Sequence, residues 1–214
     1  MFYSLTAALI SCSIPLTLCL VLKYKFNAKI FPLLVGVFSY MVIISLPRGA
    51  LKLVILGDDL KQIPWLYYLI SAFISGLFEE VGRYIVFKQL IPKYDNWTDC
   101  ILYGIGHCTA EAFLTHNIFE NTINDAFLES YMLLQGIGFS VSMTVLVFSA
   151  VHYFENKKLL YTAVIIHTVT DVFLSLYYLN AVTIGEFMII EIILTIAVCV
   201  FAYIIYRNAR EKLP

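Results

Sequence analysis

Apolar runs long enough to cross a lipid bilayer recur along the whole chain, and this pattern limits the fold more than any other feature. A helical span needs roughly 20 apolar residues to cross ~30 Å of hydrocarbon. Seven stretches meet that length, at about 2–22, 30–56, 64–90, 98–117, 131–153, 159–180 and 183–206. A soluble domain is about half apolar and a quarter charged, whereas here 61% of residues are hydrophobic and 14% are charged. A soluble core cannot hide that much apolar surface, so lipid must cover it. The expectation is a single-domain, all-α, polytopic membrane helix bundle over 1–214 with about seven spans.

Other classes fit poorly. A net charge of −1 gives no basis for nucleic-acid binding. The five cysteines (Cys12, Cys19, Cys100, Cys108, Cys199) form neither a disulfide spacing nor a CxxC zinc motif. The first run lacks a basic leader and is long enough to span, so it reads as a membrane helix; Leu9-Ile10-Ser11-Cys12 only loosely resembles a lipoprotein signal.

Basic residues follow the first, third, fifth and seventh runs: Lys23, Lys25 and Lys29; Lys88 and Lys93; Lys157 and Lys158; Arg207, Arg210 and Lys212. In a seven-span chain these all fall on one side. The other side carries Asp58, Asp59, Glu120, Asp125, Glu129 and Glu186. The positive-inside rule then predicts a multi-pass protein of the cell membrane with its N-terminus outside and its C-terminus in the cytoplasm. Arg48 and Lys52 interrupt the second run, which suggests a shorter span followed by an interfacial turn. The segment from Ile118 to Glu129 reads as an exposed loop or interfacial helix. Trp65 and Trp97 read as interface anchors, and His116 and His152 as solvated.

Ionisable residues inside the runs are costly, at ~2.5–3.5 kcal/mol each on insertion scales, and so are functional candidates. The third run holds Glu79, Glu80 and Arg83, the fourth His107 and Glu111, the sixth His167 and Asp171, and the seventh Glu191. Counted from the basic ends, Glu80, His107 and His167 all lie at roughly 12–15 Å depth, at 1.5 Å per residue. Arg83 shares a helix face with both glutamates, so it can neutralise one and leave the other for chemistry. Glu111 and Asp171 stand one turn beyond His107 and His167, where a carboxylate can orient an imidazole. A carboxylate with two imidazoles at one level suits water activation, with the histidines stabilising an oxyanion or holding a metal. Glu191 matches no motif and reads as a packing or cavity residue. The cavity is expected to open toward the cytoplasmic half.

Three ordered motifs carry a family resemblance: Phe78-Glu79-Glu80-Val81-Gly82-Arg83, then Gly104-Ile105-Gly106-His107 with Glu111-Ala112, then His167-Thr168-Val169-Thr170-Asp171. Over about 60–180 they resemble the YhfC family of intramembrane peptidases, itself similar to the CAAX-processing and bacteriocin-processing (Abi) proteases. The resemblance implies a water nucleophile activated by Glu79 or Glu80, with Arg83 as partner. It implies His107 and His167 as oxyanion or metal groups, and Asp171 at the third-motif position. A metal set of Glu80, His107 and His167 with Zn2+, or no cofactor at all, are both consistent with it. The implied substrate is a membrane-embedded or lipid-anchored peptide or protein. The fifth run departs from the pattern. It offers only Gln135, Ser140, Ser142 and Thr144 at membrane depth, where a Glu and a His are expected. No HExxH or GxSxG is present. A non-catalytic scaffold that binds membrane helices and a proton-coupled transporter are the alternative readings.

Overall fold

A computed structural model describes residues 2–115, 123–154 and 157–211, with the side chains at 2–12, 58, 115 and 123–129 left aside. Every regular element among them is helical. Helix α1 is Phe2–Phe26; α2 (Phe31–Phe38), a π-helical segment (Ser39–Ser45) and α3 (Leu46–Ile55) form one continuous rod; α4 is the short Asp58–Lys61. Helix α5 (Pro64–Ile85) runs into a second π-helical segment (Val86–Leu90), followed by α6 (Trp97–Thr115), α7 (Ile123–His152), α8 (Lys157–Tyr178) and α9 (Ile184–Arg210).

Four helical stretches, Phe31–Ile55, Ser130–His152, Lys157–Tyr178 and Ile184–Arg210, are long and apolar enough to cross a membrane. The other three expected spans coincide with α1, with α5 and its π-helical extension, and with α6. Burial runs opposite to that of a soluble protein. Leu53, Val54, Ile165, Ile193 and Tyr203 face outward, while Ser39, Glu80, Arg83, His107 and Thr144 are fully enclosed. An apolar exterior around a polar interior is stable only in a solvent without hydrogen-bonding capacity, which is the bilayer.

The second run does not end at Arg48. Pro47 lacks an N–H and its ring crowds the preceding turn. The π-helical segment just before it widens the ladder there, so the helix continues through Arg48 and Lys52 to Ile55. The polar stretch after the fourth run is also partly helical, because α7 begins at Ile123. Residues 116–122, with His116, lie outside the described residues.

Helix α5 packs mainly on α8, α2 on α6, α6 on α7 and α7 on α9. The α2–α6 crossing depends on two glycines. A Cβ on Gly36 would collide with the Tyr103 carbonyl, and one on Gly106 with the Leu33 carbonyl. This backbone-to-backbone contact sets the position of His107, one residue beyond Gly106.

The basic ends do meet at one end of the bundle. Lys29 Nζ lies over the Tyr94 ring, Tyr153 Oη donates to the Asp95 carbonyl, and Trp97 packs on Tyr153 and Tyr206. Trp97 is therefore wedged between helices, while Trp65 is exposed as an anchor would be. His152 is half-buried: it packs on Phe148 at 4.5 Å between ring centres, with a buried Nε2. At the opposite end Tyr177 stacks on Phe187, and α9 starts with a capping box in which Thr183 Oγ1 accepts from the Glu186 N–H while the Glu186 carboxylate accepts from the Thr183 N–H.

Candidate active site

Helix α5 places Glu79 and Glu80 on adjacent faces, and their surroundings differ sharply. Glu80 is sealed: its Oε1 accepts from Arg83 Nη1 and from His167 Nδ1 at 2.6 Å. Arg83 Nη2 also reaches Ser140 Oγ at 3.3 Å, and that hydroxyl donates to the Gly104 carbonyl at 3.1 Å. A carboxylate paired with an arginine acts as an acceptor, so His167 must donate from Nδ1 and present Nε2 elsewhere.

That second nitrogen points to Glu79. Glu79 Oε2 lies 3.3 Å from His107 Nε2, 3.7 Å from His167 Nε2 and 3.8 Å from Arg83 Nη2. Its other oxygen, Oε1, pairs with Arg48 Nη1. Arg48 Nη2 in turn donates to Tyr40 Oη at 2.8 Å. Asp171 Oδ1 stands 3.8 Å from His167 Nε2. The rings are held edge-on by aromatic neighbours, Tyr40 against His107 at 4.8 Å and Phe139 against His167 at 5.4 Å. The three helices that carry Glu80, His107 and His167 thus meet at one level.

A cavity of about 540 Å³ adjoins this cluster, and Arg48, Glu79, Glu111, His167 and Asp171 stand in its wall. Glu80 and His107 are fully buried behind it. The wall also includes Lys52 on α3, Tyr131 and Gln135 on α7, Tyr177 on α8, and Ile184 and Glu191 on α9. All of these lie beyond the cluster toward the ends that carry α4 and the α8–α9 turn. The cavity therefore lies toward the end of the bundle away from the basic residues. The depth count carried no information on which half of the bundle is hollow.

Arg48 was the principal residue missed, because it read as a break in a span. Its signal was present: two adjacent glutamates in one run have a single arginine beside them, which leaves one buried carboxylate in need of a cation from another run.

Five carboxylates (Glu79, Glu80, Glu111, Asp171, Glu191) and three basic side chains (Arg48, Lys52, Arg83) stand in and behind the cavity wall. Glu79, His107 and Glu111 each offer a donor atom, all within 4.8 Å of one another. Tetrahedral zinc with ligands at ~2.0–2.1 Å would bring such donors to roughly 3.3 Å separation, a closure that side-chain rotation can supply. The donor set of two oxygens and one nitrogen suits a divalent cation, so these residues fit a metal. They differ from the set of Glu80, His107 and His167 read from sequence. Glu80 is already committed to Arg83 and His167, and Glu111, expected only to orient His107, stands in the donor group.

A family model described as YhfC intramembrane metalloprotease matches residues 10–123, more than half of the chain. The chain belongs to the YhfC family. The match includes Arg48, Glu79, Glu80, Arg83, His107 and Glu111, and stops before His167, Asp171 and Glu191. A curated relative, an uncharacterized membrane protein YhfC of Bacillus subtilis (strain 168), is 27% identical over 118 residues. That alignment covers 53% of this chain and 45% of the relative, so the chain spans about half the length of the protein it matches. No solved structure matches. The YhfC family and the apolar helices together make this a membrane protein.

Proposed function

We propose that the chain is an intramembrane peptidase that hydrolyses a peptide bond in a membrane-embedded or lipid-anchored substrate, with Glu79 as its working carboxylate. One observation carries the choice of Glu79 over Glu80. Glu79 stands in the cavity wall with Oε1 held by Arg48 and Oε2 turned to two imidazoles, whereas Glu80 is enclosed.

Hydrolysis proceeds in two steps. A water in the cavity gives its proton to Glu79 Oε2, and its oxygen bonds to the scissile carbonyl carbon. The carbonyl π pair moves to its oxygen. The Nε2–H of His107, and that of His167 as an imidazolium since its Nδ1–H is held by Glu80, stabilise this oxyanion, an electrostatic contribution that matters most where water is excluded. Glu79 then delivers the proton to the amide nitrogen, the C–N bond breaks and the oxyanion pair re-forms the carbonyl. Arg48 fixes the carboxylate, and Glu80 fixes the ring of His167.

Glu79, His107 and Glu111 would hold the metal that the family description implies. When bound there, a divalent cation such as Zn2+ would polarise the carbonyl and make a water more acidic.

The test uses the full chain in lipid nanodiscs with transmembrane peptides, and new peptide termini are read by mass spectrometry. Cleavage that disappears in Glu79→Gln supports the reading. Absence of new termini above that variant would sink it and leave the scaffold. Metal analysis of the same samples tests the cation site: near-stoichiometric zinc, lost in His107→Ala and Glu111→Gln, is expected for the metal-bound enzyme. Metal-free but active protein would assign Glu79 Oε2 to proton transfer alone.

A further inference from the structure

Glu191 belongs to the cavity but takes no part in the Glu79 cluster. It lies on the first half of α9 and is only 5% exposed. Its Oε2 accepts from Gln135 Nε2 at 2.8 Å, and the same amide nitrogen donates to Thr195 Oγ1 at 2.8 Å. Both amide hydrogens are then engaged, so Gln135 sets the plane of the carboxylate and has nothing left for Oε1. Glu191 Oε1 is buried and has no hydrogen-bond partner among the described residues. Leaving an acceptor in that state is unfavourable, and more so for a charged one. A side chain retained only for packing would not need this oxygen.

The surroundings indicate which partner is missing. Tyr131, Tyr177 and Phe187 stand in the same cavity wall. Tyr131 is held by a hydrogen bond from its hydroxyl to the Met188 carbonyl at 2.8 Å, and Tyr177 stacks on Phe187 at 5.1 Å. A carboxylate oxygen with fixed aromatic rings nearby attracts an ammonium or guanidinium group, through charge and through the ring faces. The chain's own cations in the cavity wall are engaged elsewhere. Arg48 is on Glu79, Arg83 on Glu80, and Lys52 Nζ donates to Ser75 Oγ at 2.8 Å.

We propose that Glu191 forms a subsite that receives a basic side chain, lysine or arginine, of the peptide that enters the cavity. Calling that peptide a substrate rests on the peptidase reading; its binding does not.

The experiment measures binding and cleavage separately. Fluorescent apolar helical peptides, each with one lysine at a successive position, are compared with norleucine counterparts. They are titrated into the full chain in uncharged maltoside micelles, which contain no ammonium group. At one or more positions, lysine is expected to bind about tenfold tighter than norleucine, the scale of one charge-assisted contact. Glu191→Gln, which keeps an acceptor for Gln135, should remove that preference. Mass spectrometry of the same samples reads hydrolysis. Lysine peptides that bind with preference and stay intact would preserve the subsite and count against the peptidase. Equal binding at every position, binding of neither series, or a lysine preference that survives in Glu191→Gln would overturn the proposal. Displacement of the lysine peptides by added phosphatidylethanolamine, with no preference left at saturation, would assign the subsite to a lipid headgroup and overturn it as well.

Discussion

Arg48 and Glu80 hold opposite ends of the same charge arrangement, and substitutions at the two should be told apart by what they leave behind. Removing Arg48 strands Glu79 Oε1 in a buried setting, and breaking a buried pair in this way costs about 3–5 kcal/mol. Arg48→Ala should therefore unfold at distinctly lower temperature in detergent, and Arg48→Lys should recover part of the loss because the charge stays while the contact to Tyr40 is weakened. A thermal-unfolding midpoint unchanged in Arg48→Ala would show that the pair is not structural. Glu79→Gln keeps an amide oxygen that can accept from Arg48, so it should lose less stability than Arg48→Ala while cleavage falls about 10²–10⁴-fold, the usual size of a lost proton-transfer group. Glu80→Gln should damage stability as well, since Arg83 and His167 both rely on its Oε1. Matching cleavage and stability losses in both glutamate variants would remove the distinction between them. The sequence made the cluster visible through mid-membrane charges at helical spacing. It did not show which glutamate faces open space, because that depends on how α5 is rotated against α8.

Among the elements, the α2–π–α3 rod and α6 matter most for the site. The π-helical segment carries Tyr40 onto His107, and the helix after it carries Arg48 onto Glu79. The close α2–α6 crossing keeps those contacts in register. Gly106→Leu places a side chain where the Leu33 carbonyl lies and should cost 1–3 kcal/mol or about that from overpacking, with loss of cleavage. Gly185→Ala, with open space at its Cβ position, is the matched control and should leave both readouts unchanged. A tolerated Gly106→Leu would mean the two helices can separate without consequence. Helix positions were legible because apolar run length is a strong signal. The continuity of the second run through Pro47 was not, since a proline beside two cations reads equally well as an ending. The partner of Glu191 was also hidden: Gln135 sits on α7, and nothing in either run marks the two as neighbours.

At the scale of the whole molecule, the basic loops gather at one end and the cavity opens toward the other. If the basic end is cytoplasmic, as charge bias favours, the cavity faces the outer leaflet. Single cysteines at Lys52 and Lys93, in a background without the native thiols, should report this in intact cells. An impermeant maleimide should label the Lys52 position and spare the Lys93 position until the membrane is opened. The reverse pattern would invert the orientation and leave the cavity on the cytoplasmic side.

The pairing of Arg48 with Glu79 also bears on how the chain is made. The cation is synthesised before the two glutamates, and Arg83 follows three residues after them, so both acidic groups of α5 have a cationic partner by the time their helix leaves the ribosome. His167 and Asp171 emerge much later. A nascent chain therefore enters the bilayer with the charges of α5 paired, and the contacts of His167 to Glu79 and Glu80 form only when α8 arrives.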